Sequence, residues 1–203
     1  MLVDLRREKY YLTGTYELHC QDVIAREITP GTTFWDVGAH AGLFTLMAAR
    51  QGAVVHAFEP MAETRGRLEA AVAANGFDNV AVHPFALGPT SGDAVLHPSE
   101  SSCMWSLVGE GEGVVVTQRR LDDLAEEFGP PTLIKIDAEG AEVDVIRGGE
   151  SLLSRHTPLL LVEFTGSEEV GEARTLLSHY SFHRLSESHW FLRPEPSSLE
   201  APP

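Results

Sequence analysis

Residues 34–44 read FWDVGAHAGLF: a short run of strand-forming residues carrying Asp36, then a turn with Gly38 and Gly42, then the apolar start of a helix. Working outward, four more β-rich runs follow: VVHAFE (54–59), VAVHPFAL (80–87), LIKID (133–137) and LLLVEF (159–164). Each is short and almost continuously apolar, as strands covered on both faces are. LFTLMAARQG (43–52) and MAETRGRLEAAVAANG (61–76) carry helical spacing after the first two runs and end in glycines suited to stop a helix. Strand, helix, strand, helix is the pattern of an α/β fold with a doubly wound parallel sheet. Further helices are expected at 16–28, 121–128, 141–147 and 167–180, the last with Ser167 as its cap. FHRLSESHWFLR (182–193) reads as two strands joined through SES, the one antiparallel hairpin, while 91–113 has no assignable pattern.

The chain has 203 residues, 43% hydrophobic and 22% charged, enough for one domain burying about 70% of its unfolded surface. We expect a single domain over 1–193, with a helical lead-in at about 1–30 and a proline-rich disordered tail over 194–203. Thirty acidic residues against 15 Lys+Arg give a net charge of −15, which disfavours nucleic acid and anionic membrane surfaces as partners. The longest aliphatic run, 159–162, falls far short of the roughly 20 residues a membrane span needs. Charges occupy the place of a secretory signal's apolar core, so a cytoplasmic location is the default expectation. Cys20 and Cys103 have no motif around them and read as reduced thiols.

In an open α/β sheet, ligands bind beyond the carboxyl ends of the strands. Asp36 with Gly38 and Gly42 marks such an end: Gly38 would let the backbone approach a ligand, and Gly42 would let the next helix pack closely. The glycines fall four apart, with His40 midway, and so are not the G-x-G-x-x-G dinucleotide fingerprint. Glu59, followed by Pro60, ends the second run about 20 residues beyond Gly38, where a carboxylate can accept two ribose hydroxyls. A third element, IKIDAEGAEVDVI (134–146), breaks an apolar run with Lys135 and clusters Asp137, Glu139 and Glu142. Acids gathered there would bind a ligand, hold a cation together with Glu163, or form a salt-bridged helix start.

Taken in order, FWDVGAHAGLFTLMAA, HAFEPMAETRGRLEAAVAANG, FALG, VTQRRLDDLAEEFG and LIKIDAEGAEVDVIRGG resemble the FkbM-type family of S-adenosylmethionine-dependent methyltransferases over residues 15–164. The family usually has asparagine where this chain has His40. The resemblance implies a class I methyltransferase fold, a Rossmann-like three-layer sandwich with a mostly parallel seven-stranded sheet and one antiparallel strand near the C-terminus. It implies S-adenosylmethionine as cofactor and S-adenosylhomocysteine as product. Asp36, Gly38, His40 and Gly42 would line the methionine part, Glu59 and Pro60 the ribose, and Phe85 and Ala86 the adenine. Tyr16 and Glu17 match a short element closing over the cofactor, and Asp137 would approach the methyl.

Methyl transfer to a hydroxyl needs alignment and removal of a proton, for which Asp137 is the first choice of base and Glu139 the second, ahead of Glu163 and His97. The motif requires no metal, although Asp137 and Glu163, ending neighbouring strands, have the oxygen chemistry of a hard-cation site. The acceptor implied is a small molecule such as a sugar, a macrolide or another secondary metabolite, and no oligomeric state is readable. Two other classes compete: a non-catalytic S-adenosylmethionine-binding partner subunit, and an NAD-binding oxidoreductase. The acid set argues against the first and the glycine spacing against the second.

Overall fold

Successive residues of β1 (Thr33–Val37) alternate between the two faces of a sheet. Trp35 and Val37 enter one core and Phe34 the opposite one, and all three are buried. A strand buried on both faces has to lie in the middle of a covered sheet, and β1 does. The computed structural model describes residues 13–98, 105–107 and 112–196. β1 pairs in parallel with β2 (Val54–Phe58) on one side and β8 (Leu133–Ile136) on the other. With β3 (Val80–His83), β9 (Leu159–Glu163), β10 (Tyr180–Arg184) and β11 (His189–Pro194), the order is β10-β11-β9-β8-β1-β2-β3. β11 alone runs antiparallel to its neighbours β9 and β10, as expected of the C-terminal hairpin.

Helices cover both faces. α1 (Leu18–Glu27) and α2 (Leu43–Arg50) bury Val23, Ile24, Phe44 and Ala48 against Phe34 and Val55, and α3 (Ala62–Asn75) packs Leu68 and Val72 on Ala57. On the other face lie α4 (Leu121–Phe128), α5 (Glu142–Arg147), α6 (Glu150–Arg155) and α7 (Ser167–Leu176). The chain moves from β1 to β2 and β3 on one side, then returns to place β8 on the other. The strand order therefore reverses at β1 and β8, where a crevice opens at their carboxyl ends.

Several local expectations are corrected. Residues 80–87 are not one strand: Pro84 has no N–H to give a ladder, so β3 stops at His83 and β4 (Ala86–Leu87) joins a second sheet. Part of the unassigned stretch forms that sheet, with β5 (Gly92–Pro98), β6 (Trp105–Ser106) and β7 (Val114–Arg119) in the order β4-β7-β5-β6. Its strands were unreadable because one face is exposed, down to a two-thirds exposed Val115, and the apolar pattern is diluted. Ser167 does not cap α7. Gly166 holds the cap position, and Glu169 reaches back to accept the Thr165 amide at 2.7 Å. Pro194 ends β11 instead of beginning the tail, while 197–203 lie outside the described residues. Cys20 is a buried free thiol, and Cys103 lies outside the described residues.

The loop between β8 and α5 is held by an acid from α5. Glu142, 1% exposed, accepts the amides of Ala138 at 2.7 Å and Gly140 at 3.1 Å, and burial pushes its carboxyl up to about 7. Glu142→Ala would leave both amides without a partner at a cost of about 1–3 kcal/mol. The expected thermal melt drops by roughly 3–10 °C; an unchanged melting temperature would show that the loop does not depend on this carboxylate.

Candidate active site

The turn after β1 fits against β8 because residue 38 has no side chain. At φ 74°, a Cβ on Gly38 would stand 1.8 Å from the Asp137 carbonyl oxygen. The amides of Gly38 and Ala39 both donate to the Phe58 carbonyl at 3.1 Å, tying the turn to the end of β2. His40 also lies in the left-handed region, at φ 49°. Gly42, at φ 89°, lets α2 begin where a Cβ would press to 2.3 Å from Leu68 Cδ1.

At the end of β2, Glu59 is folded back into the crevice and only 6% exposed. Its Oε2 accepts the His40 amide at 3.0 Å and its Oε1 the Met61 amide at 2.9 Å. Burial raises the carboxyl to about 7 against the opposing pull of those two amides and Arg65. A carboxylate held by amides on its near side keeps free lone pairs for hydroxyl donors.

The opposite wall is acidic and organised by Lys135, which is 3% exposed. Its ammonium donates to Asp137 Oδ2 at 2.8 Å and stands 5.0 Å from the Phe44 ring centre. Burial opposes its charge, yet Asp137, Asp36 and Glu17 hold its pKa well above the ordinary lysine value. Asp36, 1% exposed, accepts the Thr45 hydroxyl on Oδ2 at 2.6 Å, and its Oδ1 has no hydrogen-bond partner. Burial pushes its carboxyl up, partly offset by Lys135. Glu139 takes a left-handed backbone at φ 53°, its carbonyl accepting the Ser106 hydroxyl at 2.5 Å. Burial, with Asp137 and Glu163 nearby, lifts its carboxyl to about 7.

These walls enclose a cleft of about 860 Å³, its solvent-filled mouth included. Among the residues read from the sequence, Gly38, His40, Glu59, Pro60, Phe85, Ala86, Asp137 and Glu139 line it. Asp36, Gly42 and Glu17 stand behind the lining. Tyr16 forms part of the wall, but its neighbour Glu17 turns away, Oε2 lying 3.3 Å from His189 Nε2. Glu163 Oε1 stands 3.9 Å from the same nitrogen and accepts the Ser188 hydroxyl at 3.0 Å. Glu163 therefore faces Glu17 and His189 in this cluster. His97 lies on β5 with a buried Nδ1 that has no hydrogen-bond partner, and Trp105's side chain is outside the described residues.

His189, Ser106 and Glu142 were missed as site residues. Ser106 and His189 are brought in by long-range pairing that leaves no local motif, whereas Glu142, five residues after Asp137 in the acid cluster, could have been found.

The residues suit an adenosyl group with an amino-acid tail. A glycine-lined turn admits close approach, a buried carboxylate waits at the end of β2, and Phe85 and Ala86 supply an apolar edge beyond it. A sheet of this order with its cleft at the switch point defines a class I methyltransferase fold. Residues 36–184 match the Methyltransferase FkbM domain, and the chain belongs to that family of S-adenosylmethionine-dependent methyltransferases. It is 30% identical over 165 residues to the hexuronic acid methyltransferase AglP of Haloferax volcanii, covering 78% of this chain and 67% of AglP.

Among solved structures, methyltransferase FkbM from Methylobacillus flagellatus superposes with a TM-score of 0.60 at 20% identity over 80% of this chain. The match takes in 43% of that protein, so this chain spans less than half its length. Aeropyrum pernix fibrillarin, solved with natively bound S-adenosyl-L-methionine, superposes at a TM-score of 0.53 and 11% identity, over 83% of this chain and 68% of fibrillarin. Among the described residues no helix is long and apolar enough to cross a membrane.

Gly38→Ala tests the close approach of β1 to β8. A clash at 1.8 Å with backbone cannot be relieved by a rotamer change, and the positive φ adds strain. The expected protein melts several degrees lower than the wild type. An unchanged melting temperature would place the turn differently.

Proposed function

We propose that this chain transfers the methyl of S-adenosylmethionine to a hydroxyl of a sugar-like small molecule, with Glu139 taking the hydroxyl proton. The observation carrying this reading is the cleft at the carboxyl ends of β1, β2 and β8, which has Glu59 on one wall and Asp137 with Glu139 on the other. Likeness to a hexuronic acid methyltransferase supports the choice of acceptor class. A bound S-adenosylmethionine supplies an activated methyl on sulfonium sulfur. What remains for the protein is to align the hydroxyl, exclude water and accept a proton.

In this reading Glu59 accepts the ribose hydroxyls and the backbone of 38–40 follows the methionine portion. Sequence alone ranked Asp137 above Glu139 as the base, and the geometry favours the reverse. Asp137 already has one oxygen committed to the Lys135 ammonium, so that oxygen is not open to a substrate hydroxyl. Glu139, lifted to about 7 and fixed through its carbonyl by Ser106, is matched to proton transfer near neutral pH. Asp137 then orients: with Oδ2 held by Lys135, its other oxygen can accept the hydroxyl without giving up that contact.

Saturating S-adenosylhomocysteine, at about 100 times its dissociation constant, is expected to add roughly 2.7 kcal/mol, or about 5–10 °C for a domain of this size. Glu59→Ala is expected to abolish that shift, and a variant that binds as tightly as the wild type would remove Glu59 from the cofactor site.

The base has a separate signature. Because its folded pKa is raised, Glu139 is protonated and inactive below about 7, so the rate should rise as pH increases through 7 and then level. Glu139→Gln should keep S-adenosylhomocysteine binding and lose about 10²- to 10⁴-fold in kcat along with that rising limb. A persistent limb in the variant, together with a near wild-type rate, would pass the role to another group.

A further inference from the structure

Three side chains from distant parts of the chain converge beside the acidic wall. Glu17 precedes α1, Glu163 ends β9 and His189 begins β11, and one ligand atom from each lies within 4.8 Å of the other two. His189 is 5% exposed, and its Nε2 has no hydrogen-bond partner. Its Nδ1, in contrast, is engaged at 3.1 Å by the hydroxyls of both Ser186 and Ser188. An imidazole fixed on one nitrogen presents the other in a set direction, which is how metal-binding histidines are oriented by their neighbours. The direction here is toward carboxylate oxygens at 3.3 and 3.9 Å.

Those separations fit a common centre. Ligands at about 2.1 Å from one ion stand about 3 Å apart when adjacent and about 4 Å when opposite. Glu17 Oε2 is itself buried and faces His189 Nε2 at 3.3 Å, so an ion bound here would sit between two donor atoms that now meet only each other. We propose that Glu17, Glu163 and His189 bind one divalent transition-metal ion of the manganese or zinc kind.

The surroundings favour a cation. Asp137 and Glu139 add two more acids facing Glu163, and the positive groups facing the cluster are Lys135, already paired with Asp137, and the imidazole of His189 when protonated. A divalent ion supplies more charge than that imidazolium and takes the Nε2 lone pair, with no rearrangement of the serine contacts. One nitrogen among oxygens selects manganese or zinc over magnesium. His19 lies on the same side, its ring 4.6 Å from His189 and its Nε2 buried without a hydrogen-bond partner, but it does not group with the two carboxylates. Cys20 completes a second grouping with these histidines, but burial pushes its thiol up and away from the thiolate that a metal needs.

Such an ion would tie Glu17 to the sheet, and with it the Tyr16 wall of the cleft. The site does not depend on the methyltransferase reading, and its test does not use activity. The full chain, stripped with chelator, is titrated with manganese chloride while free Mn²⁺ is read by electron paramagnetic resonance. The expected result is one Mn²⁺ per chain, a higher melting temperature with Mn²⁺, and at least tenfold weaker binding in both His189→Ala and Glu163→Gln. Should His189→Ala fail to fold, Glu163→Gln carries the test, because that side chain is partly exposed. A wild type that retains no Mn²⁺, or variants that bind it as tightly as the wild type, would overturn the site.

Discussion

The buried ammonium of Lys135 organises the ligand end of the sheet. It enters from the middle of β8, where the flanking positions are Leu133, Ile134 and Ile136 and water is excluded, so it persists only with partners of opposite charge. Asp137 meets it directly, and Asp36 and Glu17 add to the field that keeps it charged. Breaking such a buried group by removing one partner costs about 3–5 kcal/mol, because the others are left charged and dry. The group joins β1, β8 and the segment before α1, which are far apart in sequence. A single charge thus fixes the relative placement of the turn that faces one wall of the cleft and the acids that form the other.

Burial divides the surrounding acids into two populations. Asp137 has the ammonium to itself, and Glu17 is drawn down to about 2, burial notwithstanding, by His189 and Lys135. Glu59, Glu139 and Glu142 have no such cationic partner in contact, and burial lifts each to about 7. An acid raised by burial can exchange a proton near neutral pH, while one held by a cationic partner keeps its charge. The separation here follows from which acids have His189 and Lys135 beside them.

Much of this was legible in the sequence because it is local. The turn at Gly38 and Gly42, the strand-end acid Glu59 and the run ending in Asp137 each declare themselves within a dozen residues. Their common location follows from the rule that strand ends share one edge of a parallel sheet. The reading failed where structure depends on pairing at a distance. Ser106 reaches Glu139 only because β6 pairs with β5, and His189 reaches Glu17 only because an antiparallel β11 brings its first residue to the ligand end of β9. Pro84 was a visible punctuation mark inside VAVHPFAL, and the apolar run masked it.

The second sheet gives the cleft a wall that the seven-stranded sheet alone would lack. β4 contributes Ala86 and Leu87 and β5 contributes Leu96, all lining the cleft, and the residue after β6 contributes Leu107. The same sheet grips Glu139 through Ser106, so the element that supplies this wall also sets the backbone of the proposed base. Glu139 is in a left-handed conformation that a non-glycine residue adopts only when its surroundings impose it, and the Ser106 hydroxyl on its carbonyl is one such constraint. A change in the β5 to β7 region therefore acts on more than pocket shape. Moving the strand that carries Ser106 would also move the Glu139 backbone that Ser106 holds, and with it the carboxylate proposed as the base.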